Sequence, residues 1–323
     1  MKCPDEGAGL PAWRFNRQSE RLRERFGGRV WRLGLDGGFG CPNRGGGRGA
    51  GGCIYCAPDG DRSPYLDRLP AADLDAQVAK GLAFLERRYG AELFFLYFQA
   101  YSSTFAPVEV LKSRYDEAIA SLERRRPGTL RGLVVSTRPD CLSEEKAALL
   151  ASYAGRGLEV WVELGLQSGL DSTLKRINRG HSVADFAAAR ELLRRPGIHT
   201  AAHLIFGLPG ESEDDMLAGP RLIARLGLEG VKFHDLFVAR GSALAGDYLA
   251  GEFSLLPPER YLTLLADAVE LLPPPMEILR LSSDGPAAGR LAPRRQIDKS
   301  LLYKNLELEL EKRGSFQGSR FLS

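Results

Sequence analysis

Cysteine is sparse in this chain of 323 residues, with five in all. That is too few for a small secreted fold built on disulfides, so the expected home is a reducing cytoplasm. Long apolar runs are missing, and none is long enough to span a membrane. The first residues, M-K-C-P-D-E-G-A-G-L, lack the apolar core of a signal peptide. Charge of one sign is not in excess: the balance is +3, so bulk charge announces no nucleic-acid partner. Low-complexity tracts and short-period repeats are absent as well. What remains is an ordinary globular composition, 44% hydrophobic, long enough for one large domain or two small ones.

The few cysteines are not scattered. Cys41, Cys53 and Cys56 fall in one glycine-rich stretch, G-G-F-G-C-P-N-R-G-G-G-R-G-A-G-G-C-I-Y-C. Three thiolates without a fourth close by suit a [4Fe–4S] cluster with one iron left open, since cluster irons are usually held by cysteine. A structural zinc site is the bland reading, but it wants four ligands. The other cysteines, Cys3 and Cys141, stand alone, and the nearest downstream histidine is His181. A disulfide would leave one of the three unpaired. The residues favour the open cluster.

Strand-length apolar runs alternate with helical patterns. The strand candidates are Val30–Leu35, Leu93–Gln99, Leu133–Thr137, Leu158–Leu166, His199–Phe206 and Val231–Val238. Helices are expected over Asp73–Tyr89, Val108–Arg126, from Ser143, and over Ala184–Arg195 and Asp214–Leu226. Such alternation implies parallel βαβ units. The expected fold is α/β: a partial (β/α)6 TIM-like barrel with a C-terminal α/β extension. Its parts are an N-terminal segment over 1–28, the barrel over 29–256 and the extension over 257–323. The extension reads as a helix over Tyr261–Leu272, a strand over Glu277–Leu281 and a last helix over Ile297–Arg313.

Barrels of this kind carry their chemistry at the C-terminal ends of the strands. The unusual polar residues collect there. The cysteines follow the first strand, Gln99 to Thr104 the second, and T-R-P-D at Thr137 the third. Glu163, Gln167 and Ser168 lie on or after the fourth, G-L-P-G-E at Gly207 after the fifth, and His234 on the sixth.

The motifs resemble the radical S-adenosylmethionine (SAM) superfamily, and within it the YhcC/YtqA-like family, related to the radical-SAM domain of the Elongator catalytic subunit. The resemblance rests on C-P-N-R at Cys41, G-G-C-I-Y-C at Gly51, Y-F-Q-A-Y-S-S-T-F-A at Tyr97 and S-T-R-P-D-C at Ser136. It continues with E-V-W-V-E-L-G-L-Q-S at Glu159, L-K-R-I-N-R-G-H at Leu174 and H-L-I-F-G-L-P-G-E at His203. It covers roughly Val30 to Leu244. Eleven residues separate Cys41 from Cys53, longer than the commonest radical-SAM spacing and similar to that of this family.

The resemblance implies SAM and a [4Fe–4S] cluster as cofactors and an external reductant such as flavodoxin or ferredoxin. It implies cluster ligation by Cys41, Cys53 and Cys56, and Tyr55 beside the SAM adenine unless it only packs the loop. Gln99, Ser102, Ser103 and Thr104 take the place where relatives hold the SAM amino group, although the usual Gly-Gly-Glu is missing; their hydroxyls equally suit capping. Glu163, a carboxylate in an apolar strand, either contacts SAM or pairs with Arg138. Gln167 follows at the mouth. Arg176 or, preferentially, Arg179 pairs with the SAM carboxylate. Ile205 packs on adenine or in the core. His203 and His234 are substrate contacts or satisfied core groups. Cys141 exchanges a hydrogen atom or forms a covalent intermediate, or is a small buried hydrophobe.

The leading expectation is therefore a radical SAM enzyme that modifies tRNA at the C5 side chain of the wobble uridine, with Arg290, Arg294, Arg295 and Lys299 on phosphate. A small-molecule or protein substrate is the alternative. A non-catalytic zinc- or RNA-binding module is the reading from another class. The sequence leaves the oligomeric state open.

Overall fold

Side chains on a strand alternate between faces, so a covered parallel sheet buries one apolar set outside and another inside. The computed structural model describes residues 13–44, 51–57, 62–66, 69–195, 197–283 and 289–322. Cys3 and Pro196 lie outside them. The described chain opens with α1 (Gln18–Phe26) and β1 (Val30–Leu35). Next come α2 (Leu74–Tyr89), β2 (Leu93–Phe98), α3 (Val108–Arg125) and β3 (Leu130–Thr137). They are followed by α4 (Glu144–Ala154), β4 (Glu159–Gln167), α5 (Asp171–Arg176), α6 (Val183–Leu192) and β5 (Ile198–Phe206). After these run α7 (Glu213–Arg225), β6 (Gly230–Asp235), β7 (Val238–Ala239) and α8 (Leu244–Leu249). The last part holds α9 (Pro258–Leu271), β8 (Glu277–Arg280), β9 (Arg290–Ala292) and α10 (Lys299–Lys312).

Seven strands form one parallel sheet in the order β1-β2-β3-β4-β5-β6-β8, curled into a half-barrel. The expected partial barrel is present, with one addition. The strand expected in the extension, β8, lies beside β6 in the same sheet, so α9 and β8 make a further crossover unit. β7 and β9 form a separate two-stranded antiparallel ribbon. Helix starts follow local chemistry: Asp73 caps α2 through the Ala76 amide at 2.9 Å, and Ser143 caps α4. Ser182 with Asp185 and Ser212 with Asp215 build full capping boxes on α6 and α7.

The outer face of the sheet carries the large core. Leu33, Leu35, Leu96, Phe98, Leu133 and Val135 pack against α2, α3 and α4 through Val78, Leu82, Leu111 and Leu150. The inner face has a second, smaller cluster of Phe95, Tyr97, Val134, Trp161 and Ala201. Leu22 of α1 belongs to that inner cluster and Phe26 packs against it. Helix α1 thus plugs the N-terminal end of the half-barrel. It was not expected from the sequence, because its nine residues, QSERLRERF, carry only Leu22 and Phe26 as an apolar stripe. Arg25 pins the plug to β4 and β8 by ion pairs with Glu159, 2.9 Å, and Glu277, 2.5 Å.

Leu22 is 4% exposed. Leu22→Ala should lower the free energy of unfolding by about 2–4 kcal/mol, read from urea denaturation, because the plug would leave a cavity above Trp161.

Candidate active site at the mouth of the half-barrel

The cysteine loop leaves β1 and folds back over the C-terminal ends of β4 and β5. Short-range bonds shape it: the Arg44 amide donates to the Cys41 carbonyl, 3.0 Å, and the Cys56 amide to the Cys53 carbonyl, 3.0 Å. Longer-range bonds dock it. Asn43 Nδ2 donates to the carbonyls of Asn178, 2.8 Å, and Arg179, 2.9 Å, while Asn178 Nδ2 donates to the Gly52 carbonyl, 2.8 Å. The loop therefore rides on the turn after α5. A cavity of about 190 Å³ lies beneath, lined by Cys41, Cys53 and Cys56 together with Tyr55, Gln99, Ser102, Gln167 and Arg179.

Arg179 crosses this cavity. It donates to the Gly165 carbonyl at 2.7 Å, to His181 Nε2 at 2.9 Å and to the Cys53 sulfur at 3.7 Å. A Cβ at Gly165 would stand 2.3 Å from the guanidinium, so only glycine leaves room for it on β4. The Cys53 thiol is lowered to about 4, first by a hydrogen bond from the Cys56 thiol, against burial, and then by Arg179. Cys56, as the donor, is held well above the usual thiol range. Burial and then Arg179 depress His181 to about 4. Its neutral ring accepts from Arg179 and gives its Nδ1 proton to the Ser182 carbonyl, 3.2 Å. Tyr101, Gln167 and Asn178 adopt positive φ of 56°, 76° and 52° without being glycine. Such strain gathers at functional sites; Tyr101 and Gln167 line the cavity, and Asn178 docks the cysteine loop.

The other expected residues divide. Ser102 lines the cavity, and its buried Oγ has no nitrogen or oxygen partner among the described residues. Ser103 Oγ donates to the Phe98 carbonyl, 3.1 Å, and Thr104 Oγ1 to the Cys141 carbonyl, 2.9 Å. Both hydroxyls serve the backbone, as capping would have it. Gln99 lines the cavity and donates to Ser63 Oγ at 2.5 Å. Ile205 and Tyr55 pack against one small apolar cluster with Leu174, Ile177 and Leu236. Arg176 is exposed and donates to the Pro209 carbonyl, 2.8 Å, away from the cavity. Cys141 is 4% exposed and outside the cavity lining, its thiol pushed up to about 11 by burial and then Asp140.

Glu163 does not pair with Arg138, which instead grips Asp140 at 2.9 Å and the Arg179 carbonyl at 2.7 Å. Glu163 is fully buried beneath the cavity. Its Oε2 accepts from Tyr97 Oη, 2.8 Å, His203 Nε2, 2.9 Å, and Lys232 Nζ, 2.5 Å. Arg32 closes on Oε1. Burial pushes this carboxyl up, but Arg32 and Lys232 outweigh it and hold it well below the usual range. Lys232 was missed in the sequence, though a lysine inside the apolar run G-V-K-F-H carries the same signal as Glu163.

This chain matches the sequence profile of the radical SAM superfamily over residues 38–218 and that of the Radical SAM C-terminal domain over 228–312. The chain belongs to the radical SAM superfamily. It is an enzyme of a class that uses a [4Fe–4S] cluster and SAM, which sets aside the non-catalytic module. It is 34% identical to YtqA of Bacillus subtilis over 308 residues, 95% of this chain and 93% of that protein. It is 33% identical to a tRNA uridine(34) acetyltransferase of Dehalococcoides mccartyi over 159 residues, 48% of this chain and 34% of that protein. Its fold resembles that of an archaeal Elp3 from Methanocaldococcus infernus, with a TM-score of 0.64, 23% identity, and 76% of this chain and 60% of that chain covered.

The donor set fits such a cluster. Three thiols share one cavity, one already acidic, with amide and guanidinium donors from Asn43, 3.5 Å, and Arg179 on the Cys53 sulfur. Among the described residues the cysteines are not drawn up as a closed metal-ligand set.

Two outcomes follow for the floor. Glu163→Ala should cost about 3–5 kcal/mol in urea unfolding, since Lys232 would stay buried, and Arg32 half-buried, without a counter-charge. Stability should rise with pH between about 4 and 6.5, because the unfolded chain binds protons that His181 and His203, both near 4 in the fold, refuse. Glu163, held low, adds its own loss below about 4.5. The urea midpoint against pH checks this, and His203→Gln should flatten the slope.

Proposed function

We propose that Cys41, Cys53 and Cys56 hold a [4Fe–4S] cluster, that SAM binds beside it, and that the enzyme modifies tRNA at the C5 side chain of the wobble uridine. The observation that carries the tRNA reading is the 33% identity, over 159 residues, to a tRNA uridine(34) acetyltransferase. When bound and reduced by an external donor of flavodoxin or ferredoxin type, these cofactors supply a 5′-deoxyadenosyl radical that removes a hydrogen atom from the substrate.

The chain's own residues then have defined work. Arg179 offers its guanidinium to the SAM carboxylate while its bonds to Gly165 and His181 fix its plane. Ser102 presents its Oγ to the SAM amino group. Tyr55 and Ile205 flank the adenine from one apolar cluster. Arg294, Arg295 and Lys299 offer exposed charge to tRNA phosphates. Arg280, a cavity residue, acts electrostatically on Lys299, which links the basic segment to that end of the cavity. The uridine would leave its stack to enter.

Protein reconstituted with iron and sulfide without oxygen, given SAM and dithionite, should form 5′-deoxyadenosine, and Cys53→Ala should form none. With tRNA from a strain deleted for this gene, mass spectrometry of nucleosides should show a changed wobble uridine. Deoxyadenosine without any change in tRNA would move the assignment to a small-molecule or protein substrate.

A further inference from the structure

Asn43, the third letter of C-P-N-R, is fully buried although its side chain is an amide. Its Nδ2 lies 2.8 Å from the Asn178 carbonyl, 2.9 Å from the Arg179 carbonyl and 3.5 Å from the Cys53 sulfur. The two carbonyls decide which way the amide faces: turned over, it would set Oδ1 against both of them. The amide has two N–H groups for these three acceptors, so the sulfur shares a proton with a carbonyl in a three-centre bond.

The surroundings keep that nitrogen in place. Gly180 has a φ of 77°, and a Cβ there would stand 2.5 Å from Asn43 Oδ1, so the turn brings bare backbone against the amide. Among the described residues Asn43 Oδ1 is buried with no hydrogen-bond partner. A buried acceptor left unpaired asks for a cause, and here the nitrogen of the same group sits between two carbonyls and a sulfur. Arg179 Nη1 reaches that sulfur too, at 3.7 Å, so Cys53 carries two nitrogen donors. Cys53 is 6% exposed, less than Cys41 or Cys56, and away from water such bonds are stronger. Hydrogen bonds to the sulfurs help set the potential of an iron–sulfur cluster. The reduced cluster carries one more negative charge, part of it on sulfur, so a donor there favours the reduced state.

We propose that Asn43 tunes electron entry: through Nδ2–H on the Cys53 sulfur it raises the reduction potential of the cluster. Asn43 acts through Cys53 and is a positioning residue. The proposal rests on reading Cys41, Cys53 and Cys56 as the cluster ligands.

A redox titration of the reconstituted full chain without SAM, followed by EPR of the reduced cluster, tests it. Asn43→Leu should lower the midpoint by about 59 mV, roughly a tenfold shift of the reduced-to-oxidised ratio, as loss of a charge-assisted hydrogen bond predicts. Asn43→Gln keeps an amide N–H and should recover part of the fall. Asn178→Gly loses the bond to the Gly52 carbonyl, suits a φ of 52° and leaves Asn43 intact, so its midpoint should stay in place. An unchanged midpoint in Asn43→Leu overturns the proposal, as does an equal fall in Asn178→Gly, which would assign the effect to loop docking. Should Asn43→Leu take up no cluster, pulsed EPR on the unsubstituted chain, labelled with heavy nitrogen at the asparagine side-chain amide, decides the matter. A nuclear coupling from that label that persists in Asn178→Gly supports the bond, and its absence overturns it. If the unsubstituted chain gives no cluster signal, the reading of the cysteines fails and the proposal with it. A cluster whose potential ignores Asn43 leaves that reading standing.

Discussion

One ionised carboxylate sealed inside the half-barrel organises everything around it. Glu163 stands on β4 and receives donors from β1, β2, β5 and β6 through Arg32, Tyr97, His203 and Lys232. A buried charge is tolerable only when neighbours satisfy it completely. The strands that carry those neighbours are thereby fixed relative to one another on their inner face, while apolar packing fixes them on the outer face. Gln18 of α1 joins as well, accepting from Arg32 at 2.8 Å, so the plug and the polar layer are one unit.

Strand β4 connects this layer to the mouth. Glu163, Gly165 and Gln167 alternate with buried apolar residues and point the same way, as the two-residue period requires. The first is the anchor, the second gives Arg179 its carbonyl and its space, and the third turns into positive φ at the rim. Arg179 in turn touches the Cys53 sulfur. A displacement of Glu163 would therefore be felt at the cysteine loop through one strand and one guanidinium.

Much of this was legible in the sequence because it is local. The six barrel strands were visible as apolar runs, and β1 has the bounds expected of it, Val30–Leu35. Asp73 and Ser143 marked helix starts by their own chemistry. What escaped was short or non-local. Helices α5 and α8 have six residues each, less than two turns of periodicity. Strands β7 and β9 are shorter still. The partners of Glu163 come from four other strands, and no spacing rule reaches across them. Ser103 and Thr104 matched a motif position, but which hydroxyl faces the cavity depends on the turn at Tyr101, a left-handed residue that composition does not announce.

Helix α1 makes the half-barrel a vessel with a stopper. Leu22 and Phe26 close the end opposite the cysteine loop, so nothing passes straight through along the strands. The chamber has a bottom: it is a pocket, not a channel.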